Sequence, residues 1–425
     1  MNDMMVHAKH PVCYDNEVVN DSPEPCRNSF EAERKSIDIA NHSRRNSRHT
    51  IRQIMLRAKN NNQLSQIDEI LPRKCSTPPP PSLPKYQTKS ITPVDEYKSN
   101  LSDELKKIAE KELRETDKIR THAIKAMREW AMENKRIIKC RLDSTVILKV
   151  LRFRKFSIPM SQEAFERYLL FREGLYGYDF FSNLDPLKPG IISLLENGLI
   201  VPIPNRDKYG RKVILIKLSA LDPTIPDIGC RALTLLTLIM EVLIEEEENQ
   251  IRGLSYVADL SGVHLKQALI FPLDVWYKFG KNTEKVCAIR HKAFHIINMP
   301  SSMKFLIDFA VKQMPQKLRD RVKFHTLDSI ADIGSIDKRN MPVEYGGEAS
   351  LIQIADEWKS ILISQRERFL KFSEMKVNYK MYPKSILECD PETLKTPLSE
   401  MDLSKESKHI DIAGVQGSFR KLEID

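Results

Sequence analysis

The sequence predicts an α/β fold, with a mostly parallel sheet flanked by helices, preceded by a small helical N-terminal subdomain and bracketed by disordered tails. Three observations predict it. Short β-rich runs alternate with helical segments after residue 198. Apolar residues recur every three or four positions from 105 to 130. Both ends of the chain lack sustained periodicity.

Residues 1–100 are rich in Ser, Asn, Pro, Arg and His, with a proline run at 78–81, and read as a disordered extension. Within it, Ile54, Met55, Ile67, Ile70 and Leu71 could form a short helix on a protein partner, although a solvated tail is the favoured reading. Ser47, preceded by Arg44 and Arg45, has the look of a kinase site, and a phosphate there would weaken attraction to an anionic surface. Residues 101–178 form the helical subdomain. Ser102 caps its first helix, with Asp103 and Glu104 at the positive end, and Leu105, Ile108, Leu113, Ile119, Ala123, Met127 and Trp130 lie at helical spacing. Asp143 and Ser144 cap a second helix through Ile147, Val150 and Leu151, and a third carries Phe165, Tyr168, Leu169 and Phe171.

Residues 186–350 form the α/β domain. Runs at 199–203 and 213–216 flank a turn at 205–210 and read as a hairpin-like pair. A helix over 232–246, a strand over 254–260, a helical segment around Phe271 and Phe279, and a strand over 293–297 follow. Residues 351–380 are expected to hold a C-terminal helix and 381–425 a tail.

The chain has 425 residues, 41% hydrophobic, enough for a large core with a ligand-sized cavity. The polar first twenty residues carry no secretory signal pattern. The longest apolar stretch, 232–244, is interrupted by Thr234, Thr237 and Glu241 and falls short of the roughly 20 residues of a spanning helix. Seven cysteines without CxxC spacing fit a reduced, cytoplasmic setting. The net charge of +9 points to an anionic partner, whether nucleic acid, membrane surface or phosphorylated ligand.

Catalytic patterns are sparse. Cys287 and His291 are four apart, but no orienting third group or oxyanion motif accompanies them, and phosphate-loop and HExxH patterns are absent. The expectation is a non-enzyme without cofactor or metal. RNA-module and zinc-finger signatures are also missing, so nucleic acid is not the expected partner. Glu245, Glu246, Glu247 and Glu248 would point in different directions around a helix end, and a solvated end is expected rather than a metal site. His295, inside an apolar run, reads as a hydrogen-bonded core histidine.

Two features remain. Over 301–314, Lys304, Asp308 and Lys312 form a narrow stripe on a helix otherwise made of Met303, Phe305, Leu306, Ile307, Phe309, Ala310 and Val311, which alone reads as a core helix. Arg290 and Lys292, two apart, project to one side of an extended segment, while Lys317 and Arg321, four apart, share a helix face; four cations converge if the segments are neighbours.

Three segments, Tyr256 to Gly262, His295 to Pro300 and Met341 to Gly347, resemble in order and spacing the CRAL-TRIO lipid-binding family. Residues 139–143 and 151–156 look like its helical N-terminal part. The resemblance covers about 116–358 and implies a soluble carrier that encloses one hydrophobic lipid. It makes the 301–314 helix a movable lid and turns Arg290, Lys292, Lys317 and Arg321 into phosphoinositide-binding residues, with Arg319 as an additional candidate. The implied pocket is lined by Leu236, Met240, Leu254, Phe271, Phe279, Ile289, Phe305, Leu306 and Phe309. Leu236 and Met240 stand where tocopherol-binding members carry hydroxyls, which makes the site more apolar. Lys312-Gln313-Met314 departs from the family's Lys-Pro-Phe and alters the lid hinge. The implied partners are a hydrophobic small-molecule lipid, a phosphoinositide-containing membrane met peripherally and reversibly, and a protein recruited by the N-terminal tail. In the alternative reading, the domain is a lipid-sensing regulatory adaptor whose tail does the recruiting.

Overall fold

Capping residues set the helix starts of the N-terminal part. In the computed structural model, which describes residues 84–173, 179–268, 270, 288–325, 333–383, 386 and 398, the first long helix is α1 (Asp103–Leu113). The Ser102 side chain accepts from the Leu105 amide, as its position before two acids predicts. Arg114 then adopts a left-handed conformation (φ 65°), so the apolar period from Leu105 to Trp130 is divided between α1 and α2 (Asp117–Glu133), the latter capped by Thr116. After the short strand β1 (Ile137–Lys139), Asp143 caps α3 (Ser144–Phe153) and α4 (Ile158–Arg172) follows. Helices α2, α3 and α4 pack against one another around Met127, Ile147, Leu151 and Phe165, all fully buried. Order begins earlier than Leu101. Tyr86 and Val94 are buried in the same core, and Ile91 donates its amide to the Cys140 carbonyl, so part of the expected extension is a packed strap.

Five strands form the main sheet among the described residues, in the order β2 (Ile200–Arg206), β3 (Lys212–Lys217), β4 (Leu254–Asp259), β5 (His291–Ile297) and β6 (Val322–Phe324). β2 and β3 pair antiparallel across the 207–211 turn, as the turn signals predict, and the other pairs are parallel. Helices α5 (Ile228–Leu243) and α6 (Glu247–Arg252) connect β3 to β4. Gly253 makes the entry to β4 possible: at φ 82° its Cα approaches the Arg290 carbonyl so closely that a Cβ would lie 2.3 Å from that oxygen. Beyond β5, helix α7 (Lys304–Gln313) and the single turn α8 (Gln316–Arg319) lead to β6.

Helices α9 (Leu351–Ser364) and α10 (Arg366–Lys371) then return the chain to the helical part, where β7 (Lys376–Val377) pairs with β1. Packing continues past residue 381, the expected start of the tail. Tyr382 is buried and donates its hydroxyl to Glu166 at 2.6 Å, and the Leu398 amide reaches Glu163 at 2.8 Å. No helix among the described residues is long and apolar enough to cross a membrane.

Candidate functional site

Each parallel strand is entered through a basic residue. Arg211 precedes β3, Arg252 stands two residues before β4, Arg290 immediately precedes β5 and Arg321 immediately precedes β6. Register places these entrances side by side, because Lys212 pairs with Leu254 and Leu254 with His291, at the roughly 4.8 Å spacing of neighbouring strands. The amino-terminal edge of the sheet is therefore a row of cations. Arg290 and Lys292 project together, as their spacing predicts, onto one carboxylate oxygen of Glu112 in α1, at 2.6 and 2.8 Å. Burial opposes ionisation of Glu112, but the hydrogen bonds from Lys292 and Arg290 outweigh it and hold its carboxyl down at about 2. Arg290 also donates to the Ile251 carbonyl, and Arg321 to the His291 carbonyl.

Lys317 and Arg321 do not share a helix face. α8 ends at Arg319, and Arg321 has already turned toward β5, where its carbonyl accepts from the Phe294 amide. Lys317 is exposed on α8, with Arg319 at the end of the same turn. Arg290, Lys292 and Arg321 are thus gathered at the sheet edge, and Lys317 lies on the short connection that joins it to α7.

Helix α7 is half seated. Leu306 and Ile307, with Met303 just before them, pack on a satellite apolar cluster containing Leu260 and Val263. Phe305 is 78% exposed and Phe309 37%, contrary to the expectation that they line an enclosed pocket: they stand on the outward side of the helix. Leu236, Met240, Leu254 and Ile289 belong to the main core cluster, so Leu306 is separated from them into the smaller cluster. Phe271 and Phe279 lie outside the described residues, as do Cys287 and the tail features around Ser47 and 51–71.

The three recognisable segments meet at one carboxylate. Asp259 accepts from the Ser261 amide and hydroxyl, from Asn298 Nδ2 at 2.9 Å and from the Tyr345 hydroxyl at 2.8 Å. Asn298, at φ 53°, ends β5 in the turn that its place before Met299-Pro300 predicts. Gly347 permits a close approach, since a Cβ there would lie 1.6 Å from the Met341 carbonyl oxygen. These residues hold the carboxyl ends of β4 and β5 to the 341–347 segment.

His295 is buried, its Nδ1 2.9 Å from His325 Nε2. Burial first, then the neighbouring His325, Lys323 and Arg211, depress it to about 4. His291, the partner expected for Cys287, instead meets the Tyr256 hydroxyl at 2.7 Å, and burial with the Arg321 charge depresses it to about 4.

Glu245, Glu246, Glu247 and Glu248 are not a solvated end. They diverge as predicted, but each finds an arginine: Arg141 for Glu245, Arg206 for Glu246, Arg152 for Glu247, and Arg206 and Arg252 for Glu248. Among the described residues no cluster of His, Cys, Asp and Glu suits a metal ion. The roles of Arg211 and Glu112 were missed from sequence; the available signal was that a basic residue precedes every parallel strand.

Residues 196–347 match the family described as the CRAL/TRIO domain. The alpha-tocopherol transfer protein-like protein of Mus musculus is 27% identical over 275 residues, covering 65% of this chain and 78% of its own length. Its Homo sapiens counterpart is 26% identical over 294 residues, covering 69% and 81%. Clavesin-1 of Pongo abelii is 28% identical over 275 residues, covering 62% and 75%. The sheet, with its cation-lined edge and the Asp259 junction that ties its far end to Tyr345, falls within the residues that match the CRAL/TRIO domain.

Proposed function

We propose that the protein carries a hydrophobic lipid and exchanges it at phosphoinositide-bearing membranes. The observation that supports this reading most directly is the continuity of α7, α8 and the entry to β6. A helix with two exposed phenylalanines is followed within a few residues by Lys317 and then by Arg321, which joins Arg290 and Lys292 at the sheet edge. Apolar side chains that can enter a bilayer and cations that can hold phosphates are thus carried by one stretch of chain. The relatives named for tocopherol transfer support an apolar cargo. In this reading Leu236, Met240, Leu254, Ile289, Leu306, Phe271 and Phe279 face the cargo, and Phe305 and Phe309 meet the membrane.

Cargo physics explains why a membrane is required. A ligand of about 20 carbons released into water would cost on the order of 16 kcal/mol, at ~0.8 kcal/mol per CH₂. Transfer therefore has to occur against an apolar phase.

The double substitution Lys317→Glu/Arg321→Glu is expected to abolish sedimentation with phosphatidylcholine vesicles containing a phosphoinositide, while circular dichroism shows an unchanged fold. Lys317→Glu alone, at an exposed position, is expected to weaken binding without touching the His291 contact. Undiminished vesicle binding by both variants would refute the proposal.

A further inference from the structure

The face of the sheet toward α7 holds a polar pair inside an aromatic patch. Successive side chains of a strand point to opposite sides, so Leu254, Tyr256 and Ala258 of β4 share one face, and register sets Phe294 beside Tyr256 and Ile296 beside Ala258. Ile296 packs on the satellite cluster that also seats Leu306 and Ile307 of α7. The rings of Tyr256 and Phe294 stack with centres 4.8 Å apart and planes 8° from parallel, and the His291 ring lies 5.5 Å from the first and 5.8 Å from the second. The Tyr256 hydroxyl engages one nitrogen of His291, Nδ1 at 2.7 Å, and Nε2 has no partner among the described residues. The imidazole is neutral at physiological pH, since burial and then the Arg321 charge depress it to about 4.

We propose that His291, held in place by Tyr256, is the polar anchor of the cargo site, and that the cargo is a lipid alcohol whose hydroxyl bonds to Nε2 while its apolar chain runs along β4 and β5 toward α7. The anchor rests on the carrier reading above, in which Leu254 faces the cargo, and deepens it by naming the cargo's chemical class. Hydrogen-bonding capacity selects a hydroxyl. If the tyrosine donates to Nδ1, Nε2 carries the ring proton and donates; if Nδ1 donates to the tyrosine, Nε2 accepts. A hydroxyl suits either tautomer, whereas a carbonyl oxygen suits only the first and a hydrocarbon leaves the nitrogen unpaired. A carboxylate would place its charge against a neutral ring, with the Arg321 guanidinium already turned to the His291 carbonyl.

The test measures partition of a radiolabelled long-chain alcohol, and of the alkane and the fatty acid of the same chain length, from phosphatidylcholine vesicles into the full-length protein. His291→Phe is expected to lower alcohol uptake about ten-fold, the worth of one hydrogen bond, and to leave alkane uptake unchanged. Tyr256→Phe keeps the ring stacked on Phe294 and removes only the hydroxyl that orients the imidazole, so it should lower the alcohol-to-alkane ratio by a smaller factor. Circular dichroism establishes that each variant is folded, and if His291→Phe is not, the ratio is read from Tyr256→Phe. An unchanged ratio in the folded variants, or an equal loss of alcohol and alkane, overturns the anchor and leaves the carrier reading intact. Preference of the unaltered protein for the fatty acid overturns the alcohol as cargo class. Uptake of none of the three by the unaltered protein overturns both the anchor and the carrier reading.

Discussion

At the residue scale, the two histidines of β5 show how a sheet edge built of cations treats a titratable neighbour. His291 and His295 carry ordinary values of 6.5 when unfolded and are each depressed to about 4 in the fold, chiefly by burial and then by adjacent positive groups. Below pH 6.5 the unfolded chain takes up protons that the folded chain refuses, so the contribution is undiminished above that value and is lost as the pH falls toward 4. Glu112 works lower, going from 4.5 to about 2, whereas Glu173, raised by burial, opposes the histidines only at the bottom of their range. The window from about 6.5 to 4.5 therefore reports the histidines. Stability there should fall by about 1.4 kcal/mol per pH unit for each such histidine. Urea unfolding at a series of pH values measures it, and His291→Gln should flatten the slope. A stability that stays level from neutrality to pH 5 would contradict the assignment. The burial of His295 was legible from its place in an apolar run, but the partner of neither histidine was. Tyr256 is 35 residues from His291 and His325 is 30 from His295, and no local spacing rule connects them.

At the element scale, α7 divides its apolar residues between two jobs. Leu306 and Ile307 face a small cluster with Leu260 and Val263, while Phe305 is mostly in solvent. An exposed phenylalanine contributes little to folding, so Phe305→Ser should leave stability within about 0.5 kcal/mol. Its transfer into a bilayer is worth up to about 3 kcal/mol, so the same change should weaken vesicle binding by ten-fold or more. Leu306→Ala should do the reverse, lowering the unfolding midpoint. Equal effects of both on stability would place Phe305 in the core. The helix itself was legible from sequence, because a narrow charged stripe on an apolar cylinder has helical period whatever it packs against. Which apolar residues face outward was not, since that depends on the position of a neighbouring cluster. The same distinction runs through the other elements. Ser102 and Asp143 were readable as caps because capping acts over three residues. The two-helix division at Arg114 was not, because an arginine in a left-handed conformation carries no local signature.

At the scale of the whole compact unit, charge rather than apolar packing marks the boundary between the helical part and the sheet domain. Arg152 of α3 is fully buried. Its guanidinium forms two 2.8 Å bonds to Glu115, one to Gln250 and one of 2.7 Å to Glu247, so it spans from the α1–α2 junction to α6. Arg141 repeats the pattern, joining Asp143 to Glu245. Glu245 and Glu247 of the acidic run are thus the sheet domain's half of an ionic seam, invisible in sequence because their arginines lie 104 and 95 residues away. Such a seam adds modestly to stability when complete, since desolvation offsets most of the attraction, but removing one member leaves buried charge without compensation. Arg152→Met should therefore cost about 3 to 5 kcal/mol, with Glu115 left to Arg120 and Glu247 to the Tyr97 hydroxyl. Arg152→Met/Glu115→Gln should recover part of that loss, because the most deeply buried carboxylate that has lost its main partner is gone. Urea unfolding followed by tryptophan fluorescence distinguishes the outcomes: a double variant no more stable than the single one would mean that Arg152 acts by filling space rather than by pairing charge.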